Sequence, residues 1–357
     1  MFDNFTLEKI LHLNPVFKDA SVSSCIYVGK KTLQEKYNIT YYKTCDIDNF
    51  LSSIFELKII PIEYILKNQN LKILFIDEKE AILIDKIFLN SNLLGNLTYS
   101  WRGEEIGTKS TVIVNKNAKF RIIIGGNIER FYFKGEELFI EESNVKKELS
   151  NYQKDKIVIR QLGDNINANY DNNGFINVQA VYNIFSINET IENKFILILI
   201  NSKLIDFIYR TLYKEKISFP RILLENIREL PIKEIPKEVQ QPFIEKADKM
   251  LDLNKHLKEK KNKFLNRVKD NFEIEKVSKR LETFYEYDFK TFVAELKKQK
   301  IKLSLVQQDE WEEYFNTYKN EINQLQDEIN TTDKEIDKMV YELYGLSEEE
   351  IRIVEGA

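Results

Sequence analysis

Two apolar stripes with heptad spacing dominate the C-terminal third of the chain, over residues 243–268 and 311–343. Each stripe alternates steps of three and four residues, which is typical of a helix whose apolar seam packs against a second helix. The C-terminal helix would span about 50 Å at ~1.5 Å per residue, and Gly345 would end it. The sequence therefore predicts a long antiparallel helical pair, capped by shorter amphipathic helices over residues 277–299.

The two stripes have two explanations. The residues that we assign to the seam are Phe243, Met250, Asn254, Leu257, Ile322, Leu325, Ile329 and Ile336. Ordinary core packing between two helices of one chain produces such stripes, and a coiled coil that binds a partner is the sharper hypothesis. Polar Asn254 and Lys261 on the first stripe favour a specific register over maximum stability.

The pattern divides the chain into three segments, residues 1–60, 61–235 and 236–357. The first contains two short predicted strands, Leu7–Leu13 and Ser24–Gly29, which are too little to fold alone. We therefore expect exposed apolar surface in this segment, covered by a partner or by a second copy of the chain.

Residues 61–235 alternate short apolar runs with turn residues, and predicted helices follow at 192–201 and 202–213. The apolar runs include Thr111–Val114, Phe120–Ile124 and Lys156–Arg160. Asp171–Gly174 ends in Asn-Gly, a hairpin signal. The prediction is an α+β fold, in which a mixed, mostly antiparallel sheet domain precedes the helical region.

Composition argues against several classes of function. The net charge is −4 and the pI about 5.7, so electrostatics alone does not indicate a nucleic-acid binder. Cys25 and Cys45 form no Cys-x-x-Cys pair, and we expect reduced, buried thiols without a metal site. The most apolar run, Phe195–Ile200, is too short to cross a bilayer, and the N-terminus lacks the pattern of a signal peptide. We expect a cytoplasmic protein without a membrane partner.

Motifs for catalysis are absent from the sequence. It has no glycine-rich phosphate loop and no nucleophile elbow. Asp77–Glu80 carries consecutive charges, which fit a solvated turn better than the paired carboxylates and lysine of a nuclease. Asp164–Asp171 lacks the spacing of a calcium loop and predicts an Asn-rich turn or a polar loop that contacts base edges.

Candidate nucleic-acid contacts fall in two stretches. Residues 101–130 carry more cations than anions and have aromatic neighbours, which suits phosphate positioning but is also common on surface strands. The second stretch is the polar run that begins at residue 160. The candidates are Arg102, Lys109, Lys119, Arg121, Arg130, Arg160, Gln161, Asn165, Asn167 and Asn169.

Several motifs resemble one family of proteins. Asp333–Leu346 resembles the closing helix of type IIG restriction–modification enzymes, which join nuclease, adenine methyltransferase and specificity domain in one chain. Leu230–Ile232, followed by Gln241–Ile244, resembles the junction from specificity domain to helices, and type I specificity subunits have a similar junction. Trp101–Lys109 and Gly125–Tyr132 resemble the TaqI-like specificity domain.

The sequence differs from the pattern of the TaqI-like specificity domain at one point and matches the family at one further motif. Ile124 and Gly125 stand where a basic residue often precedes the glycine. Ser218–Arg221 also fits the family. The resemblance implies that Arg102, Arg130 and Arg160 contact the DNA backbone or hold the fold, and it leaves open which residues read bases.

The first segment extends the resemblance. Asn14–Ile26 resembles the last strands of the methyltransferase domain in these enzymes, whereas the Asn-Pro-Pro-Tyr motif and the glycine-rich cofactor loop are absent. The resemblance implies that residues 1–60 are the end of a methyltransferase domain. It also implies that adenine N6 methylation, S-adenosylmethionine and Mg²⁺ belong to a parent enzyme or partner, and that this chain has no cofactor and no catalytic site.

The resulting hypothesis is a sequence-specific DNA recognition module that directs a methyltransferase or endonuclease to its site. Its expected partners are double-stranded DNA and a methyltransferase or nuclease subunit, or a second copy of the chain. The alternatives are a helical scaffold without tight DNA binding, an inactive truncated remnant, and an enzyme whose site is not recognisable.

Overall fold

A computed structural model describes residues 5–14, 16, 23–67, 74–116, 118–213, 221–274 and 276–356 of the chain. The chain folds into two compact units. The first comprises Met1–Gln240 and Val340–Ala357, and the second comprises Gln241–Met339.

The first strands of the chain form one mixed sheet. They are β1 (Thr6–Leu13), β2 (Ser24–Lys30), β3 (Asn38–Thr44) and β4 (Glu56–Pro61). Their order is β2-β1-β3-β4, with β1 and β3 parallel and the other pairs antiparallel. A short helix, α1 (Ile47–Leu51), lies between β3 and β4 in sequence. The sequence pattern predicts β1 and β2 but not β3 and β4.

The two faces of this sheet differ in burial. Ile10, Ile39 and Ile60 face a small core, whereas Ile26 on β2 and Leu57 on β4 are 50% and 46% exposed. Leu57 pairs with Tyr42 of β3, and Leu11 of β1 pairs with both Tyr42 and Ile26, so an apolar row crosses all four strands. The structure thus has the exposed apolar surface expected for this segment.

The charge run at Asp77–Glu80 begins a helix and is not a turn. The elements here are α2 (Ile62–Lys67) and α3 (Glu78–Leu89). The Asp77 side chain accepts from the backbone N–H of Glu80, and the Glu80 side chain accepts from the backbone N–H of Asp77. This reciprocal capping box satisfies donors that a helix start leaves unpaired, and it explains why an acid stands at each end of the run.

The middle of the chain builds two larger sheets from short strands. The elements are β5 (Asn92–Leu93), α4 (Leu94–Leu97), β6 (Thr98–Arg102), β7 (Phe120–Ile123), β8 (Ile128–Glu129), β9 (Tyr132–Phe133), β10 (Leu138–Ile140), α5 (Leu149–Gln153), β11 (Lys156–Arg160), β12 (Ala168–Asp171), β13 (Ile176–Asn177) and β14 (Val181–Ser186). One sheet has the order β12-β11-β14-β6 and is antiparallel throughout. The other has the order β10-β7-β13, with β13 parallel to β7.

Helices then cover the four-stranded sheet. They are α6 (Asn193–Asn201), α7 (Lys203–Tyr213) and α8 (Leu224–Arg228), and a short strand, β15 (Pro231–Ile232), pairs with β5. Phe195–Ile200 is fully buried in α6. A helix that is apolar on every side belongs inside a core, so this run is the centre of the first unit.

Two predicted features differ in the structure. Thr111–Val114 is not a strand, and only Val114 forms a bridge, to Phe139. The turn at Asp171–Gly174 is present, with Gly174 at φ +70°. It does not join a hairpin, because β12 pairs with β11 while β13 pairs with β7 of the other sheet.

A fully buried ion pair fixes the chain where it leaves the four-stranded sheet. Lys156 Nζ lies 2.6 Å from Asp171 Oδ2, and both side chains are 0% exposed. The same carboxylate accepts from the backbone N–H groups of Asn173 and Phe175. Burial lowers the pKa of Lys156 and raises the pKa of Asp171. Because each ion neutralises the other away from water, removing one partner leaves an unpaired buried charge.

The second unit contains the predicted helical pair. Its elements are α9 (Lys237–Phe272), α10 (Lys279–Glu282), α11 (Phe289–Lys298) and α12 (Leu305–Tyr344), of which α9 and α12 also extend into the first unit. Lys246 pairs with Glu335, and Lys260 pairs with Glu321, so the two long helices run antiparallel. After Gly345, at φ +69°, the chain continues into α13 (Glu348–Glu355) of the first unit.

The seam residues are buried within the helical unit. Phe243, Met250, Asn254, Leu257, Ile322, Ile329 and Ile336 are each at most 8% exposed, and Leu325 is half-buried. Asn254 donates its side-chain amide to the Met250 carbonyl, and Lys261 donates to the Tyr285 hydroxyl. Packing between helices of this chain therefore accounts for the stripes.

The α+β class is confirmed, with mixed and antiparallel sheets preceding a long helical region. None of the described helices combines the length and the apolarity that a membrane-spanning segment needs.

We predict that Lys156→Met lowers the free energy of unfolding of the first unit by about 3–5 kcal/mol, because Asp171 keeps a buried charge without its partner. Lys119→Met is the matched control, since Lys119 and Glu142 form an ion pair in which both side chains are about half exposed and such pairs contribute about 0–1 kcal/mol. Urea denaturation measures the free energy of unfolding of both variants. Equal losses in the two variants would contradict the prediction.

Candidate nucleic-acid interface

Polar and cationic side chains meet at one end of the four-stranded sheet. β6 ends at Arg102 and β11 ends at Arg160, while β12 and β14 begin at this same end. The loop 161–167 leaves β11 here, and Arg221 forms an isolated bridge with Leu162 of that loop. We name this surface the arginine end, and define it as Arg102, Arg160, the loop 161–167, Gln179 and Arg221.

The backbone of the loop is anchored at Gln161. Its N–H donates to the Ala180 carbonyl (2.9 Å), and its carbonyl accepts from the Ile222 N–H (2.8 Å). Its side-chain amide donates to the Tyr182 hydroxyl (3.0 Å), which donates in turn to the Ile222 carbonyl (2.8 Å). Burial raises the pKa of Tyr182. Gln161 therefore supports the loop.

Arg160 lies beneath the loop. Its guanidinium lies 3.1 Å from Glu129 Oε1. A Cβ added at Gly163 would lie 3.2 Å from Arg160 Nε, tighter than ordinary van der Waals contact. Glycine lets the loop cross closely over the guanidinium, so Arg160 is engaged in holding the loop.

Arg102 and Arg221 are exposed and have no carboxylate partner among the described residues. Among the described residues, the Arg102 side chain makes one hydrogen bond, from Nε to the Gln179 carbonyl at 3.3 Å. A guanidinium whose remaining donors face solvent can accept a phosphate without first breaking an ion pair. These two arginines are thus the cations of the arginine end that are available to an anion.

Arg130 has a structural role in this arrangement. Its guanidinium donates to the Asn201 carbonyl at 2.7 Å. The Asn201 side chain in turn exchanges two hydrogen bonds with the backbone of Ala168, at the start of β12. Arg130 therefore ties the end of α6 to the turn between β8 and β9, while the Asn201 side chain ties it to β12.

The three candidate asparagines lie in different environments. Asn165 is exposed, and its backbone carbonyl accepts from the Asn167 side chain at 3.0 Å. Asn169 lies on β12 and is 2% exposed. The placement of Asn169 is at odds with a base contact, because its side chain is enclosed by the sheet.

The remaining cationic candidates lie on other elements. Lys109 is exposed in a turn closed by the hydrogen bond from Ser110 N to the Gly107 carbonyl. Lys119 pairs with Glu142, beside the three-stranded sheet. Arg121, on β7, pairs with Glu137 at 2.7 Å and stacks over the Phe175 ring. Acidic neighbours already compensate these last two charges.

The structure adds Leu162 and Tyr182 to the residues that matter here. Leu162 is 55% exposed within the polar loop, and Tyr182 is 2% exposed beneath it. The sequence does not single out Leu162, because Ile166 is a second apolar residue of the same run and is 2% exposed. Tyr182 has no signal either, because it stands in an ordinary strand pattern.

The motif Trp101–Lys109 holds Arg102 in place. A Cβ at Gly103 would lie well under 3.0 Å from the backbone of Asn177. The carboxylate of Glu104, which is 1% exposed, accepts from the N–H groups of Lys146 and Lys147, each at 3.0 Å. Gly103 thus permits a close approach between β6 and β13. Glu104 ties the chain after β6 to the backbone at residues 146 and 147.

Metal-binding groups are not apparent in the described part of the chain. Within it, no cluster of three or more His, Cys, Asp or Glu residues could hold a metal ion. Cys25 and Cys45 are free thiols. Both are exposed, which corrects the expectation that they are buried.

Two sequence families match parts of the chain. The TaqI-like C-terminal specificity domain matches residues 120–232, and a family described as a domain of unknown function matches residues 236–340. The recognition of a TaqI-like specificity domain is thereby confirmed for residues 120–232. No curated protein sequence matches the chain significantly.

Solved structures of restriction–modification proteins share limited similarity with the chain. The HsdS subunit from Thermoanaerobacter tengcongensis has 9% identity and a TM-score of 0.32, over 58% of this chain and 48% of that one. The type IIG restriction endonuclease BpuSI has 14% identity and a TM-score of 0.35, over 69% and 39%. The type IIL restriction–modification enzyme MmeI, solved in complex with DNA, has 10% identity and a TM-score of 0.42, over 71% and 39%. The chain thus spans less than half the length of these three proteins.

Gly103→Ala should destabilise the first unit by about 3 kcal/mol, at the upper end of overpacking costs, because the new methyl group meets backbone that cannot rotate away. Gly107→Ala is the control in the same motif, since no atom lies within 4 Å of a Cβ there. Thermal and urea unfolding of both variants measure the difference. If Gly107→Ala loses as much stability as Gly103→Ala, the close approach at Gly103 is not the cause of the loss.

Proposed function

We propose that the chain is the DNA sequence-recognition module of a restriction–modification system, and that the arginine end faces the DNA. The observation that carries the proposal is the TaqI-like specificity domain at residues 120–232. The arginine end adds physical support, because two uncompensated arginines flank an anchored polar loop there.

The proposed mechanism separates positioning from reading. Arg102 and Arg221 bind phosphates and fix the sheet on the duplex, since phosphate contacts set register without selecting sequence. The loop 161–167 enters a groove, where polar side chains meet base edges. A net charge of −4 is compatible with this, because only the surface that meets DNA has to be cationic.

We further propose that catalysis belongs to a partner. The parent reaction would transfer a methyl group from S-adenosylmethionine to adenine N6, and both that cofactor and any Mg²⁺ would be held by the methyltransferase or nuclease part. The apolar row across β1–β4 fits a methyltransferase domain that would cover it. The helical unit would act as a spacer to that partner.

A randomised duplex DNA pool tests the proposed function. The purified chain is incubated with the pool at low and at moderate salt, and the retained duplexes are sequenced. One enriched asymmetric motif is the expected result. Binding without any enrichment would show that this chain does not read sequence alone.

A scaffold without tight DNA binding is the second candidate, and the acidic pI together with the exposed apolar row favours it. The salt dependence of binding separates the two candidates. Phosphate contacts release counterions, so affinity for DNA falls steeply as salt rises, whereas a scaffold would show no measurable affinity for any duplex.

We predict that Arg102→Ala and Arg221→Ala each weaken binding to every duplex by a similar factor. Each should lower the slope of log affinity against log salt by about 1, because one phosphate contact is lost. Arg352→Ala, at an exposed arginine of α13, is the matched control and should leave the slope unchanged. A loss restricted to one sequence would instead assign Arg102 to base reading. Fluorescence anisotropy titrations at several salt concentrations make these measurements.

A further inference from the structure

Leu162 is an exposed apolar residue on a loop that the fold holds firmly. Its side chain is 55% exposed, whereas its backbone is paired with Arg221 and its neighbour Gln161 is anchored on both sides. Single exposed leucines are common on protein surfaces. This one differs because its backbone forms an isolated bridge with Arg221, one of the two available arginines, on the surface proposed to meet DNA.

Asn165, three residues further along the same loop, offers the complementary chemistry. It is exposed, and its side-chain amide has no hydrogen-bond partner among the described residues. An unpaired amide carries both a donor and an acceptor, as bidentate contact with adenine N6 and N7 requires.

Base edges in the major groove present a partner for each of these two side chains. Thymine carries its 5-methyl group there, and adenine carries its N6 donor and N7 acceptor. The two available arginines suit the phosphates instead.

We propose that this loop reads an A·T base pair in the major groove. Leu162 contacts the thymine 5-methyl group, and the Asn165 amide binds adenine N6 and N7. The inference rests on the proposed function and deepens it by naming the base pair and the two residues that select it. Three residues span at most about 10 Å, which lets one loop reach both bases of a pair.

Uracil in place of thymine provides the test for Leu162, because it removes only the methyl group. The probe is a duplex with the sequence enriched from the randomised pool, and each thymine is replaced in turn. The wild-type protein should bind about fourfold more weakly when one particular thymine is replaced, which is the equivalent of one buried methyl group. Leu162→Ala should bind the thymine and uracil duplexes equally at that position.

Ile187→Ala is the matched control. Ile187 is 62% exposed and follows β14 at the opposite end of the same sheet. This variant should keep the wild-type fourfold preference for thymine. If Leu162→Ala keeps that preference as well, or if wild type is indifferent to uracil at every position, the assignment of Leu162 is wrong.

The adenine contact is tested with 7-deazaadenine, which removes the N7 acceptor. Wild type should lose affinity about tenfold at the adenine opposite the critical thymine, within the range for one bidentate contact. Asn165→Ala should be insensitive to that replacement. Asn172→Ala, at another exposed asparagine, should behave as wild type.

The outcomes distinguish this inference from the proposed function. An enriched motif that tolerates every uracil and every 7-deazaadenine overturns the A·T reading and leaves the DNA-recognition function intact. If the pool yields no enriched motif, the proposed function fails for this chain and the inference fails with it.

Discussion

The arrangement of the first unit depends on the contact at which its two larger sheets meet. There Asn177 of β13 and Asn183 of β14 exchange two side-chain hydrogen bonds, of 2.5 and 2.9 Å, and both residues are 0% exposed. Each amide satisfies the other, and leaving either one unpaired in a low-dielectric core would be costly. Gly103 lies against Asn177 at the same point, where no side chain would fit. Arg102 directly precedes this contact, so its position follows from the packing of the sheets.

The cationic side chains between residues 102 and 221 are of two kinds. Lys119 and Arg121 stand beside acidic partners, and Arg160 is engaged with Glu129. Arg102 and Arg221 have no such partner among the described residues. A paired cation must give up its carboxylate before it binds a phosphate, so it adds little to DNA affinity. This difference explains how an acidic chain could bind DNA, and it also shows why counting cations along the sequence selects too many candidates.

The sequence predicts the parts of this structure that follow from local periodicity. Heptad spacing identifies both long helices, and Gly345 marks the end of the second. It does not predict pairings that depend on distant residues. The hairpin expected at Asp171–Gly174 is absent because Lys156 holds Asp171 on one sheet while the following strand joins the other. Likewise, Asn169 belongs to a polar run, and only the register of β12 shows that it is buried.

Local sequence patterns do not identify the residues of the candidate site either. Residues that support the loop and residues that are available to a ligand alternate there along the chain. Gln161 and Arg160 are polar and engaged with the protein, whereas Leu162 is apolar and exposed. An anchored backbone loses little conformational entropy when it binds, so a few contacts at its tip are sufficient for discrimination. Under the proposed function, substitutions at the exposed positions would alter the DNA sequence that is read without disturbing the sheet beneath. A specificity domain organised in this way would change its target while its fold stays the same.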